Sequence, residues 1–107
     1  MKKQAIIVSG NLAQDHEFIY PYYRLLEEDF SIDVCMNEGK PVKGILGTDL
    51  PPNKNQSIKK IEDVNSLDYN LLIIPGGVKA MEKVRQNLKI IDFINKFHGE
   101  DKVIGCI

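Results

Sequence analysis

The residues with chemical potential in this chain gather at three places, each suited to a different part of one reaction. Pro75-Gly76-Gly77 follows the aliphatic run Leu71-Leu72-Ile73-Ile74. A strand ending in two glycines leaves backbone N–H groups unshielded, able to approach a developing oxyanion; the plainer use of the same residues is a tight turn. The segment from Gly10 to Glu17 follows a second aliphatic run and carries Gln14, Asp15, His16 and Glu17. His16 is by type an acid, a base or a ligand, and by position equally a surface or capping residue. The third place is the close of Val103-Ile104-Gly105-Cys106-Ile107, which leads toward a strand-to-helix turn, the geometry of a nucleophile elbow. Cys106 would itself be the nucleophile if that strand ended two residues earlier; otherwise it is a small buried hydrophobe in an aliphatic run.

Several other chemistries are excluded by the same positions. Gly10 stands alone, without the three spaced glycines of a dinucleotide fingerprint, and no Walker loop is present. A phosphorylation domain of the receiver type needs acidic residues directly after the first strand and an aspartate after a middle strand. Here those positions hold Ser9-Gly10 and Pro75.

The elements that position these residues alternate between aliphatic and amphipathic. Ala5 to Val8 reads as a strand buried on both faces. Asp15 to Glu28 follows with Phe18, Tyr22, Leu25 and Leu26 at helical spacing, Asp15 suited to cap its start. Pro21 inside this pattern is expected to kink the helix or delay its regular part. Ser31 to Met36 alternates as a second strand. From Asn37 to Lys60 glycines and prolines break the pattern, and an excursion off the sheet is expected, with Pro41-Val42 and Gly44-Ile45-Leu46 able to pair as a small hairpin. Asn70 to Ile74 resumes the core. Val78 to Gln86 and Leu88 to Phe97 then read as two short helices or one broken helix, the second with a stripe of Leu88, Ile91, Ile94 and Phe97 widened by Ile90 and Phe93. His98-Gly99 ends it. Lys102 to Ile107 is the last strand, expected to be buried. This order is α/β, with right-handed crossovers giving parallel strands and ligands bound beyond their carboxyl ends. Gly10 to Glu17, Pro75 to Val78 and whatever follows Ile107 should converge on that rim.

Totals bound the answer. The 107 residues suffice for one domain, and the net charge of −1 recommends neither nucleic acid nor an acidic membrane as a partner. Lys59-Lys60 and Glu27-Glu28-Asp29 read as solvated faces. Met1-Lys2-Lys3 leads into an apolar stretch too short for a signal core or a membrane span. Cys35 and Cys106 form no disulfide framework and no metal-ligand spacing, which fits a reducing cytoplasm. No cofactor or metal is expected.

Three strings in order, Glu17-Phe18-Ile19-Tyr20-Pro21-Tyr22-Tyr23-Arg24-Leu25, Leu71 to Gly77, and Val103 to Ile107, resemble the ThiJ/PfpI family of the class I glutamine amidotransferase-like superfamily. The resemblance runs from Lys3 to Ile107. It implies an α/β flavodoxin-like three-layer sandwich with a mainly parallel sheet, here truncated: the N-terminal part of a single domain over residues 1–107. It also implies a dimer or higher homo-oligomer, and a reactive cysteine directly after Ile107, in the remainder of the same domain. A glutamate from the loop after the first strand commonly contacts that thiol, and the Gly-Gly turn supplies an oxyanion donor, here Gly76 and Gly77. Lining up the strings puts Gln14 where the glutamate is usual. Glutamine hydrogen-bonds a thiol but cannot titrate. Asp15 or Glu17 would substitute only across a helix rotation of roughly 100° per residue. Two functions follow as expectations. The first is a cysteine-dependent hydrolase-like enzyme (protease, amidase, glyoxalase or deglycase) acting on a small molecule or peptide. The second is a non-catalytic stress or redox-sensing protein with an impaired site.

Overall fold

The computed structural model describes residues 3–107. Strands β1 (Gln4–Val8), β2 (Ser31–Cys35), β5 (Ile58–Lys59), β6 (Leu71–Ile74) and β7 (Val103–Cys106) form one parallel sheet in the order β5-β2-β1-β6-β7. Helix α1 (Asp15–Glu27) connects β1 to β2, and α2 (Val78–Gln86) with α3 (Leu88–Gly99) connects β6 to β7. Strands β3 (Val42–Lys43) and β4 (Asp49–Leu50) pair antiparallel as a separate hairpin.

The two-residue period of a strand explains the three layers. On β1, Ala5 and Ile7 join the α1 layer with Phe18, Tyr22, Ile32 and Val34. Ile6 and Val8 point the other way, into a cluster with Leu72, Ile74, Val84, Ile90, Phe93 and Phe97. The chain order visits β2 on one side of β1 and β6 on the other. That reversal is the point at which open α/β sheets leave a crevice at the strands' carboxyl ends.

Several local readings change. The cap of α1 is Gln14, not Asp15: the Gln14 side chain accepts from the His16 N–H at 3.0 Å. The helix is regular from Asp15 onward with Pro21 inside it, so its start is not delayed. The hairpin exists, but Val42 pairs with Leu50 and Lys43 with Asp49, leaving Gly44 to Thr48 as its tip. Val42 and Leu50 are both buried and set that register. The excursion also returns to the main sheet at β5, steered by Gln56, whose amide donates to the Ile32 carbonyl at 2.9 Å and accepts from Tyr22 Oη at 2.7 Å. Asn87 separates α2 from α3, accepting from the Lys89 and Ile90 N–H groups. The buried face of α3 is Ile90, Phe93 and Phe97; Leu88, on its first turn, is exposed. Strand β7 is not buried. Among the described residues β7 has β6 alone as a neighbour, and Val103 and Cys106 are exposed.

Candidate active site

The rim at the carboxyl ends of β1, β6 and β7 is organised around one peptide, that of Gly76. Its carbonyl accepts from the Gln14 backbone N–H at 3.0 Å, and its N–H donates to Glu17 Oε1 at 2.9 Å. A glutamate at the third position of a helix normally folds back on the capping residue's N–H. Here that N–H already serves Gly76, and the Glu17 carboxylate serves Gly76 in return. The first turn of α1 and the Gly-Gly turn are therefore locked reciprocally.

The strand β7 joins the same point. Its pairing with β6 continues past Cys106, the Ile107 N–H donating to the Ile74 carbonyl at 3.1 Å. A side chain on Gly76 would begin 2.2 Å from Glu17 Oε1 and 2.7 Å from the Ile107 carbonyl oxygen. Both oxygens thus crowd the bare face of Gly76, and only glycine fits between them. Gly77 has φ +118°, and a Cβ there would meet the Leu12 carbonyl at 2.9 Å and the Gln14 N–H nitrogen at 2.9 Å. It begins α2 without any side-chain cap, so the first amides of that helix have no side-chain acceptor.

Two of the expected segments, Gly10 to Glu17 and Pro75 to Val78, meet at the end of β7, and the carboxylate that bonds Gly76 is Glu17. Gln14 touches Gly76 only through its backbone; its side chain is spent on the helix cap. His16 is exposed and its backbone, not its ring, carries the cap bond. Cys106 lies within β7, paired opposite Ile74, so the strand does not end early enough to put it on a turn. Cys35 is fully buried, and desolvation, with Glu62, Glu38 and Asp63 adding to it, pushes its thiol up to about 12. It has no nucleophilic character at neutral pH. Among the described residues no group of His, Cys, Asp or Glu is arranged to hold a metal ion.

Residues 3–107 match the sequence model of the DJ-1/PfpI family. The chain belongs to that family. Deglycase PfpI of Pyrococcus furiosus is 30% identical over 102 residues, which cover 95% of this chain and 58% of that protein. General stress protein 18 of Bacillus subtilis is 30% identical over 108 residues, covering 100% and 60%. The chain therefore spans somewhat over half the length of these DJ-1/PfpI relatives. Among solved structures, oxidized Toxoplasma gondii DJ-1 superposes with a TM-score of 0.84 at 16% identity, over 97% of this chain and 54% of that one. A ThiJ/PfpI domain protein from Brachyspira murdochii gives 0.77 at 14%, over 99% and 59%. These likenesses establish the flavodoxin-like DJ-1/PfpI fold. Among the described residues, no helix is long and apolar enough to cross a membrane.

Proposed function

We propose that this chain supplies the carboxylate and the backbone donors of a cysteine-dependent enzyme of the deglycase or amidase type. Its nucleophile is carried on the turn directly after Ile107. The observation that supports this reading is the meeting of Glu17, Gly76 and the Ile107 carbonyl at one point on the rim. A cysteine one residue further along would begin its side chain beside the Glu17 carboxylate. Glu17 then accepts the thiol hydrogen bond that was expected of Gln14. The thiol sulfur attacks the carbonyl carbon of a small molecule or peptide. A sulfur–carbon bond forms, the carbonyl π pair moves to oxygen, and the thiol proton passes to Glu17. Because the Gly76 N–H is engaged by Glu17, the amide of Gly77 at the uncapped start of α2 is the donor for the new oxyanion. Glu17 returns the proton to the departing nitrogen as the carbon–nitrogen bond breaks, and water then cleaves the sulfur–carbon bond of the acyl adduct, releasing a carboxylic acid and restoring the thiol without a cofactor.

The non-catalytic alternative drew its weight from a glutamine where a carboxylate is usual. Glu17 removes that reason. The test is turnover of a glycated amine, and separately of a peptide amide, by the complete gene product and by its Glu17→Gln variant. Loss of about 100-fold in kcat/KM with the fold intact is expected, as for a displaced catalytic contact. Equal turnover by both proteins would refute the reading.

A further inference from the structure

Asp15 is a carboxylate 1% exposed, on the first turn of α1, with no ion pair among the described residues. Its Oδ1 accepts from the Leu46 N–H at 2.8 Å, and its Oδ2 accepts from the Thr48 N–H at 3.1 Å. The Thr48 hydroxyl is a further donor. Gly44 closes the same contact from the hairpin side: a Cβ there would lie 2.2 Å from Oδ2 and 2.6 Å from Oδ1. Two backbone bonds run parallel to this clasp, from the Ile45 N–H to the Ala13 carbonyl at 3.0 Å and from the Leu12 N–H to the Lys43 carbonyl at 2.8 Å. Leu12, between them, is held at φ +64°, a conformation rare for leucine. The hairpin tip is therefore built onto the loop that leads into α1.

We propose that Asp15 is a positioning residue for Glu17, acting through the hairpin tip. The proposal rests on the catalytic reading of Glu17 given above. Successive residues of a helix are about 100° apart, so Asp15 and Glu17 leave α1 on opposite sides. One carboxylate grips the hairpin; the other grips the Gly76 peptide. The first turn of α1 is thus clamped between two sets of backbone amides, each held by an anion at the helix end that favours anions. Without the Asp15 grip, α1 is anchored on one side only, and the Glu17 carboxylate is free to drift from Gly76 along the direction of the lost clasp.

A burial role alone would require Asp15 for folding and leave Glu17 unaffected in any variant that folds. Asp15→Asn keeps the shape but turns an NH2 toward one of the two backbone donors. The Gly76 amide proton, followed by NMR in the complete gene product, reports the Glu17 bond directly, and Glu17→Ala defines its position when that bond is absent. We expect Asp15→Asn to move the Gly76 resonance toward the Glu17→Ala position and to lower kcat/KM by about tenfold with little change in KM. If Asp15→Asn does not fold, Thr48→Val removes one donor of the clasp and is expected to shift Gly76 in the same direction by less. An unmoved Gly76 resonance in a folded variant overturns the positioning role. A Glu17→Ala variant with full turnover overturns the catalytic reading instead, so the two failures are distinguishable.

Discussion

Glu17 and Gly76, 59 positions apart, exchange a carboxylate-to-amide bond of 2.9 Å while the neighbouring Gln14 N–H returns a 3.0 Å bond to the same glycine. This pair joins the loop after the first strand to the turn after the fourth strand of the main sheet. It also brings a carboxylate to the end of the last strand, where the Ile107 carbonyl shares the bare face of Gly76.

Gly76→Ala tests that crowding. The new methyl would start 2.2 Å from Glu17 Oε1 and 2.7 Å from the Ile107 oxygen, so the carboxylate must leave its place. Overpacking of this kind costs about 1–3 kcal/mol. Urea unfolding should show that loss. In steady-state kinetics of the complete gene product, kcat should fall by about 100-fold, since displacement by about 1 Å is enough for such a drop.

Gln14 and Glu17 separate cleanly by substitution. Gln14→Ala removes the helix cap and should cost about 1 kcal/mol in chemical unfolding, as cap deletions do. Its effect on turnover should be small. Gln14→Glu should likewise leave thiol reactivity unchanged, because the side chain at 14 is directed to the His16 amide.

The two cysteines should differ sharply toward an alkylating reagent at neutral pH. Cys106 is exposed, whereas Cys35 is buried with its thiol pushed up to about 12. Mass spectrometry after brief treatment of the folded 107-residue chain should find Cys106 modified and Cys35 unmodified, with Cys35 reacting only in denaturant. Equal labelling of both would contradict the packing of β2.

Asp15 should give the fold an acid limit. Desolvation by burial raises its pKa, but the donors at Leu46 and Thr48 outweigh this and hold it below the ordinary value of 3.8. A carboxyl that binds its proton less tightly in the folded state contributes stability that is complete above the unfolded value and is lost as pH falls through the folded one. Stability measured by denaturant should therefore decline below about pH 4, near the reference value for aspartate. In Asp15→Asn that part of the decline should be absent.

Phe97 tests the other layer. It is fully buried, ring-stacked near Phe93 at 6.2 Å and covered by Lys102 Nζ at 4.3 Å. Phe97→Ala should cost about 3–5 kcal/mol in urea unfolding. Leu88→Ala, exposed at the start of the same helix, should change little.

Period and punctuation made much of this fold readable before any coordinates. The aliphatic runs at Ala5–Val8 and Leu71–Ile74 read as buried strands, and both are strands of the main sheet, the second with Leu71 and Ile73 half-buried. The hairpin register was not readable, because it depends on Asp15, a residue whose type suggested a cap and whose use is to hold a loop 31 positions away. Strand β5 was hidden for a similar reason: two residues with no pattern of their own are placed by Gln56. Lining up the family strings pointed to Gln14, whereas the side chain that bonds Gly76 is Glu17. A capping motif at Gln14 to Glu17 was the available signal, since a glutamate at the third helical position has its usual partner nearby. That this partner is already bonded to Gly76 is a tertiary fact. For β7 the run gave the strand but not its place in the sheet, which among the described residues is beside β6 with Val103 and Cys106 exposed.

The most direct test of the account is the pH dependence of thiol alkylation in the complete gene product, compared between wild type and Glu17→Gln. If Glu17 holds the thiol of a cysteine following Ile107, wild type should contain, besides the buried Cys35, one thiol whose apparent pKa departs from the ordinary value of about 8.5. In Glu17→Gln that value should move toward 8.5, while Gln14→Ala leaves it in place. A thiol that titrates identically in wild type and Glu17→Gln would contradict the account.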